Sequence, residues 1–156
     1  MIVFGDGCLE RVAKAAERAY PEECCGLLIG RSTGSAVCVT GIAESDNVAP
    51  SQRSRRFEID PALRFAVMRR LRDGCDEVGG YELGGYEIIG HYHSHPEGST
   101  APSAYDASRV FEPDLLWLIV AVAAGRAREM GCWRWDPAAA RFRRSAHCTR
   151  GTGATG

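Results

Sequence analysis

The chain has 156 residues, 45% of them hydrophobic and 25% charged, which suits one globular domain with its own core and argues against a second catalytic domain. Nineteen basic residues against 20 acidic ones leave a net charge of -1, so no chain-wide field draws the protein to nucleic acid or to a membrane surface. No apolar run reaches the length of a bilayer span, and residues 1–7 lack the basic, apolar and small-residue regions of a signal peptide.

Leu9, Val12, Ala13, Ala16, Ala19 and Tyr20 recur at helical spacing, which predicts a first helix capped at Asp6 and ended by Pro21. Residues 25–29 and 36–42 are short apolar or β-branched runs joined by turn-like residues 30–35, the pattern of a hairpin. The polar stretch 44–56 follows. Asp60-Pro61 then supplies a cap and a first-turn proline for a second helix with Leu63, Ala66, Val67 and Leu71 on one face, ending near Gly74. Gly79, Gly80, Gly84 and Gly85 predict a flexible loop and a mobile rim before an apolar strand at 86–91. Pro102 opens a short helix through Val110, residues 115–123 read as a central strand, and two more strands are expected near 128–135 and 140–145. The interspersed elements define an α/β domain over residues 1–148, and the glycine-rich segment 149–156 is expected to be a disordered tail. There is no internal repeat.

Seven irregularly spaced cysteines without a CxxC pair fit reduced thiols better than a secreted disulfide framework, so a cytoplasmic location is expected. Cys25 and Cys38 lie in apolar runs and read as small buried hydrophobes.

The chemistry concentrates in His91-Tyr92-His93-Ser94-His95-Pro96. Residues two apart on a strand face the same way, so His93 and His95 converge on one point while Ser94 faces the other side. Two imidazoles and one carboxylate make a catalytic zinc set that keeps a position open for water, and Asp106 supplies the acid. A turn at 97–101 brings the chain back, and a helix beginning at Pro102 places Ser103 and Asp106 three residues apart on one face. A carboxylate must still carry the proton from water to the leaving amine, and Glu23, just before a buried strand, is the candidate.

An HxH pair alone is weak evidence for metal, because histidines near strand ends often serve structural roles. Here it stands with PxExCG (Pro21, Glu23, Cys25, Gly26), with the proline of HxHP (Pro96) and with SxxD (Ser103, Asp106). This combination resembles the JAMM (MPN-plus) zinc metalloprotease family. Asn47-Val48-Ala49, Phe57 and Asp60-Pro61 also resemble the connecting segment of its compact prokaryotic members. The resemblance implies a cytidine-deaminase-like mixed sheet flanked by helices, with Zn2+ held by His93, His95 and Asp106. It further implies that Glu23 activates the zinc-bound water as general base and acid, and that Ser103 helps hold the oxyanion. The activity implied is hydrolysis of peptide or isopeptide bonds at the C-terminal tail of ubiquitin-like or sulfur-carrier proteins.

Glu22 is the rival to Glu23, but the register of PxExCG favours Glu23. His91 shares the strand face of His93 and His95, yet an open site needs no third histidine, so a structural or supporting role is expected. Cys24, beside the base, reads as a packing residue. Arg53, Arg55 and Arg56 form a basic cluster whose plain reading is a solvated loop, with an acidic partner surface as the alternative. A nucleoside deaminase would need HxE with PCxxC, and neither is present. An HxH amidohydrolase on a TIM barrel needs about 250 residues. The competing function is a non-catalytic scaffold of the same fold, which would leave an intact metal set idle.

Overall fold

Cys8, Val12, Ala15 and Ala16 share one helical face, and all four are buried in α1 (Cys8–Ala19). The computed structural model describes residues 1–74 and 85–150. The cap of α1 is Gly7 at φ 76°, with no side-chain cap bond, so the cap predicted at Asp6 falls one residue early. Glycine takes this left-handed conformation without steric cost, and the backbone makes the entry turn by itself.

The chain passes through β1 (Ile2–Phe4), α1, β2 (Cys25–Thr33), β3 (Ala36–Ser45), α2 (Pro61–Asp73), β4 (Glu87–His95), α3 (Ala104–Ser108), β5 (Leu116–Ala123), β6 (Arg126–Asp136), β7 (Arg141–Ser145) and β8 (His147–Thr149). All eight strands form one sheet in the order β7-β6-β5-β4-β2-β3-β1-β8. It is mixed: β4 runs parallel to β5, β1 runs parallel to both β3 and β8, and the other neighbours are antiparallel.

β2 and β3 form the expected hairpin, but pairing continues to Thr33 and Ala36, so the turn is only Gly34 and Ser35. Arg31, Ser32 and Thr33 are exposed. Hydropathy marks which residues are buried, whereas the backbone ladder extends through polar residues as well.

α2 is capped as expected. Asp60 Oδ1 accepts the Ala62 N–H at 2.9 Å, Pro61 opens the helix, and Gly74 at φ 62° closes it. The apolar face expected of Leu63, Ala66, Val67 and Leu71 is corrected, since Val67 is its one buried residue. The helix meets the sheet at β4 along a narrow contact, leaving Phe65 66% and Met68 48% exposed. The predicted mobile rim falls on 75–84, outside the described residues.

α1 covers one face of the sheet, where its apolar stripe joins Phe4, Leu28, Val39, Tyr92, Leu118 and Val120 in the core. Tyr92 fits because Gly26 is its partner across β2 and β4: a Cβ on Gly26 would lie 2.4 Å from both the Tyr92 ring and the Ala43 carbonyl oxygen. The glycine of PxExCG is therefore a packing requirement. Gly26→Ala is expected to destabilise the fold by about 2–4 kcal/mol, read as a lower urea midpoint; an unchanged midpoint would contradict this packing argument.

β4 extends beyond the predicted 86–91 and carries the whole histidine motif. It is hydrogen-bonded on both sides, to β2 and β5, so the sheet edges are β7 and β8. β1 and β8 are three-residue strands without a periodic pattern and were not expected. β8 pairs Thr149 with Phe4, and the Arg150 N–H donates to the Phe4 carbonyl at 2.8 Å. Ordered pairing thus passes the boundary predicted at 148, and 151–156 lie outside the described residues. Among the described residues no helix is long and apolar enough to cross a membrane.

Candidate metal centre

Alternation along β4 places His93 and His95 on the face opposite the Tyr92 core, with their Nε2 atoms 3.0 Å apart. Ser94, between them, turns away and accepts the Cys24 backbone N–H through Oγ at 2.8 Å. α3 brings in Asp106: Oδ2 lies 3.1 Å from His95 Nε2 and Oδ1 lies 3.3 Å from His93 Nε2. The three side chains are buried and form a group that can hold a metal ion.

Asp106 is placed by a capping box, not by a helix starting at Pro102. Ser103 is the N-cap; its Oγ accepts the Asp106 N–H at 3.0 Å, and Asp106 Oδ2 accepts the Ser103 N–H at 2.8 Å. The predicted 102–110 helix is shortened to α3 because the cap lies inside that span. Ser103 is exposed, and its hydroxyl hydrogen remains available to a neighbouring acceptor.

The histidines are oriented for ligation. His95 Nδ1 lies 3.1 Å from the Ser99 carbonyl oxygen; donating its proton there leaves the Nε2 lone pair facing Asp106 and His93. His93 is stacked on Phe57, centroids 4.2 Å apart at 17°. The two imidazole nitrogens lie 3.0 Å apart, with Asp106 Oδ2 3.1 Å from one and Oδ1 3.3 Å from the other, separations close to the tetrahedron edge of about 3.3 Å that zinc sets at ordinary bond lengths. The donor set therefore fits that metal.

The electrostatics agree with this arrangement. Burial alone would raise the Asp106 pKa, but the His93 charge and hydrogen bonds from His93, His95 and the Ser103 backbone hold it well below the usual carboxylate range. Asp106 is thus a permanent anion, as a ligand must be. Burial pushes His93 below its ordinary value, against the pull of Asp106. Burial also lowers His95, but bonding to Asp106 outweighs it and the net shift is upward.

Glu23 is 3% exposed, and its Oε2 has no hydrogen-bond partner among the described residues. Its backbone is clamped. The Glu23 N–H donates to the Arg53 carbonyl at 2.8 Å, and the Glu23 carbonyl accepts from Asn47 Nδ2 at 3.1 Å. Burial raises the carboxyl to about 8, with His95 lowering it and Asp106 raising it further. Its rival Glu22 is exposed.

A folded-state pKa near 8 against an unfolded value near 4.5 means that the metal-free chain takes up a proton on folding between those pH values. Wild-type stability should fall as pH rises through that window, by an amount on the order of 3 kcal/mol at pH 7. Glu23→Gln cannot titrate. In chelator it should melt higher than wild type at pH 7 and equal to it near pH 4; equal melting at both would show that the carboxylate is not desolvated.

His91 lies outside the three-residue group and packs edge-on against Trp117, centroids 4.2 Å apart. Burial and the neighbouring His93 push it down to about 3, so it is neutral at physiological pH. Cys24 is buried, and its thiol is pushed up to about 11 by burial, which makes it a poor nucleophile.

A family model described as prokaryotic homologs of the JAB domain matches residues 6–136. The chain is a prokaryotic JAB-domain protein. In this JAB domain the matched span contains Glu23, His93, His95, Ser103 and Asp106, while β7 and β8 lie beyond it. A desampylase of Haloferax volcanii is 32% identical over 114 residues, 73% of each chain. The solution structure of a Desulfitobacterium hafniense protein superposes with a TM-score of 0.78 at 24% identity, covering 96% of this chain and 93% of that one. A JAB1/MPN domain protein of Archaeoglobus fulgidus superposes at 0.52 with 18% identity, covering 94% and 96%. The expected mixed α/β fold of this family is thereby established.

Three supporting residues of the JAB domain escaped the sequence reading as supports. Asn47 uses all four hydrogen-bonding positions, donating to the Glu23 and Arg56 carbonyls and accepting from the Ala49 and Glu58 N–H groups. Phe57 backs His93, and the Ser99 carbonyl orients His95. Asn47 and Phe57 were visible only as part of a connecting segment, and a backbone carbonyl carries no residue-type signal.

Proposed function

We propose that this chain is a zinc-dependent metalloprotease of the JAMM type that cleaves peptide or isopeptide bonds at the C-terminal tail of a ubiquitin-like or sulfur-carrier protein, and that it works in the cytoplasm. The observation that carries the reading is the buried His93-His95-Asp106 group beside a buried Glu23 whose Oε2 has no hydrogen-bond partner among the described residues. The likeness to a desampylase supports the substrate class.

Zinc, when bound, would supply a Lewis acid that brings the pKa of water to about 7 and polarises a carbonyl. His93, His95 and Asp106 would hold it. Glu23, poised near neutrality by burial, would take the proton of the attacking water and return it to the leaving amine. The cation's charge would pull the Glu23 pKa down from about 8, which favours the basic form before attack. Ser103 can donate its hydroxyl hydrogen to the developing oxyanion while its Oγ still accepts the Asp106 N–H.

An extended tail has no free strand edge at the histidines, because β4 is hydrogen-bonded to β2 on one side and β5 on the other. The tail would instead cross the face of the sheet over the histidines. The test is mass spectrometry of a ubiquitin-like protein joined through its C-terminus to a lysine side chain, incubated with the zinc-loaded chain. Release at the joining bond, abolished by chelator and restored by zinc, is expected; an intact conjugate across a panel of such proteins would contradict the substrate assignment.

A further inference from the structure

The loop between β3 and α2 meets α3 beside the metal centre through one aromatic ring. Arg56 stands 4.7 Å from the Tyr105 centroid and Arg109 5.9 Å from the same centroid. Arg109 also lies 4.9 Å over Phe111, which is 72% exposed. Both ends of this rim adjoin the site, since Arg56 precedes Phe57, the ring stacked on His93, and Tyr105 precedes Asp106. The Asn47 amide that fixes the Glu23 carbonyl also fixes the Arg56 carbonyl at 2.9 Å, so the rim and the proposed base share one clamp.

Two guanidinium groups thus share one ring, and among the described residues neither forms an ion pair. Arg64 differs, taking Glu112 at 2.6 Å. A guanidinium held over an aromatic ring keeps its N–H edge for a ligand, and two cations gathered at one ring favour an anion. A carboxylate satisfies both needs, because it accepts two parallel N–H bonds from one guanidinium. A net charge of -1 and a rim of two cations fit a short acidic peptide better than a polyphosphate strand.

We infer that Arg56 and Arg109 form a specificity rim that binds an acidic peptide segment of the substrate next to the scissile bond. Calling that peptide the substrate rests on the hydrolase reading above; the rim's preference for carboxylates does not.

The test is fluorescence anisotropy with the metal-free full chain, so that no turnover is involved. The probes are a glutamate-rich peptide, its glutamine counterpart and a single-stranded oligonucleotide. The glutamate peptide should bind about tenfold more tightly than the glutamine peptide at low salt, with the gap closing as ionic strength rises. Arg56→Gln combined with Arg109→Gln should abolish the preference while the melting temperature stays within a few degrees of wild type. If the double variant fails to fold, Arg109→Gln alone and the wild-type salt series decide the matter. Equal binding of the two peptides, a preference that survives the variants, or tighter binding of the oligonucleotide would overturn the rim. A glutamate preference without hydrolysis by the zinc-loaded chain would keep the rim and refute the hydrolase; hydrolysis without the preference would do the reverse.

Discussion

Glu23→Gln is expected to lower kcat by about a thousandfold while leaving zinc content at the wild-type level, because general acid–base groups contribute roughly two to four orders of magnitude. The amide keeps the size of the side chain and the backbone clamp through Asn47 and Arg53, so the loss isolates proton transfer. In transition-state terms this is about 4 kcal/mol. KM should change little, since the glutamine removes an interaction that matters only as the proton moves. Single-turnover kinetics on wild type and variant, with metal measured on the same samples, check both halves. Full activity in a zinc-loaded glutamine variant would exclude Glu23 as the proton carrier.

Removing the Asp106 charge should have an effect of similar size on a different quantity. Asp106 supplies the only permanent anion among the three donors and also closes the capping box at Ser103. Asp106→Asn retains an oxygen that can accept the Ser103 N–H, so α3 should keep its start. Asp106→Ala keeps the Ser103 cap but loses the reciprocal bond from the Ser103 N–H, and should be less stable by about 1 kcal/mol, typical of one lost hydrogen bond. Both should weaken zinc binding well beyond the roughly 10- to 100-fold cost of losing an outer hydrogen-bond partner. Competition titration against a chelating dye measures this. Wild-type affinity in the asparagine variant would remove Asp106 from the ligand set.

The parts of the molecule legible in the sequence are those where a residue type and a spacing act locally. The two-residue period of β4 brought His93 and His95 together, and Asp60-Pro61 and Gly74 bounded α2. The parts that were not legible depend on partners distant in the chain. β1 and β8 are too short to show a period and exist because they pair with each other, with β3 also pairing to β1. The apolar residues of α2 give a helical pattern, yet where the helix lies on the sheet left most of them outside the core. The His93-His95-Asp106 group was readable as a motif, but its supports were not. Ser99 acts through its backbone, and Phe57 and Asn47 act through the tertiary position of a loop with no regular structure. Gly26 shows the reverse case: its place in the motif was plain, and its reason, the Tyr92 ring packed against it, needed the fold.

The most direct measurement of the central claim is the zinc content of the folded wild-type chain, by elemental analysis after reconstitution and removal of free metal, with His95→Ala as the control. About one zinc per wild-type chain and almost none in the folded variant is the expected result. A folded wild-type chain that takes up no zinc would contradict the hydrolase and leave a non-catalytic scaffold of the same fold as the better account.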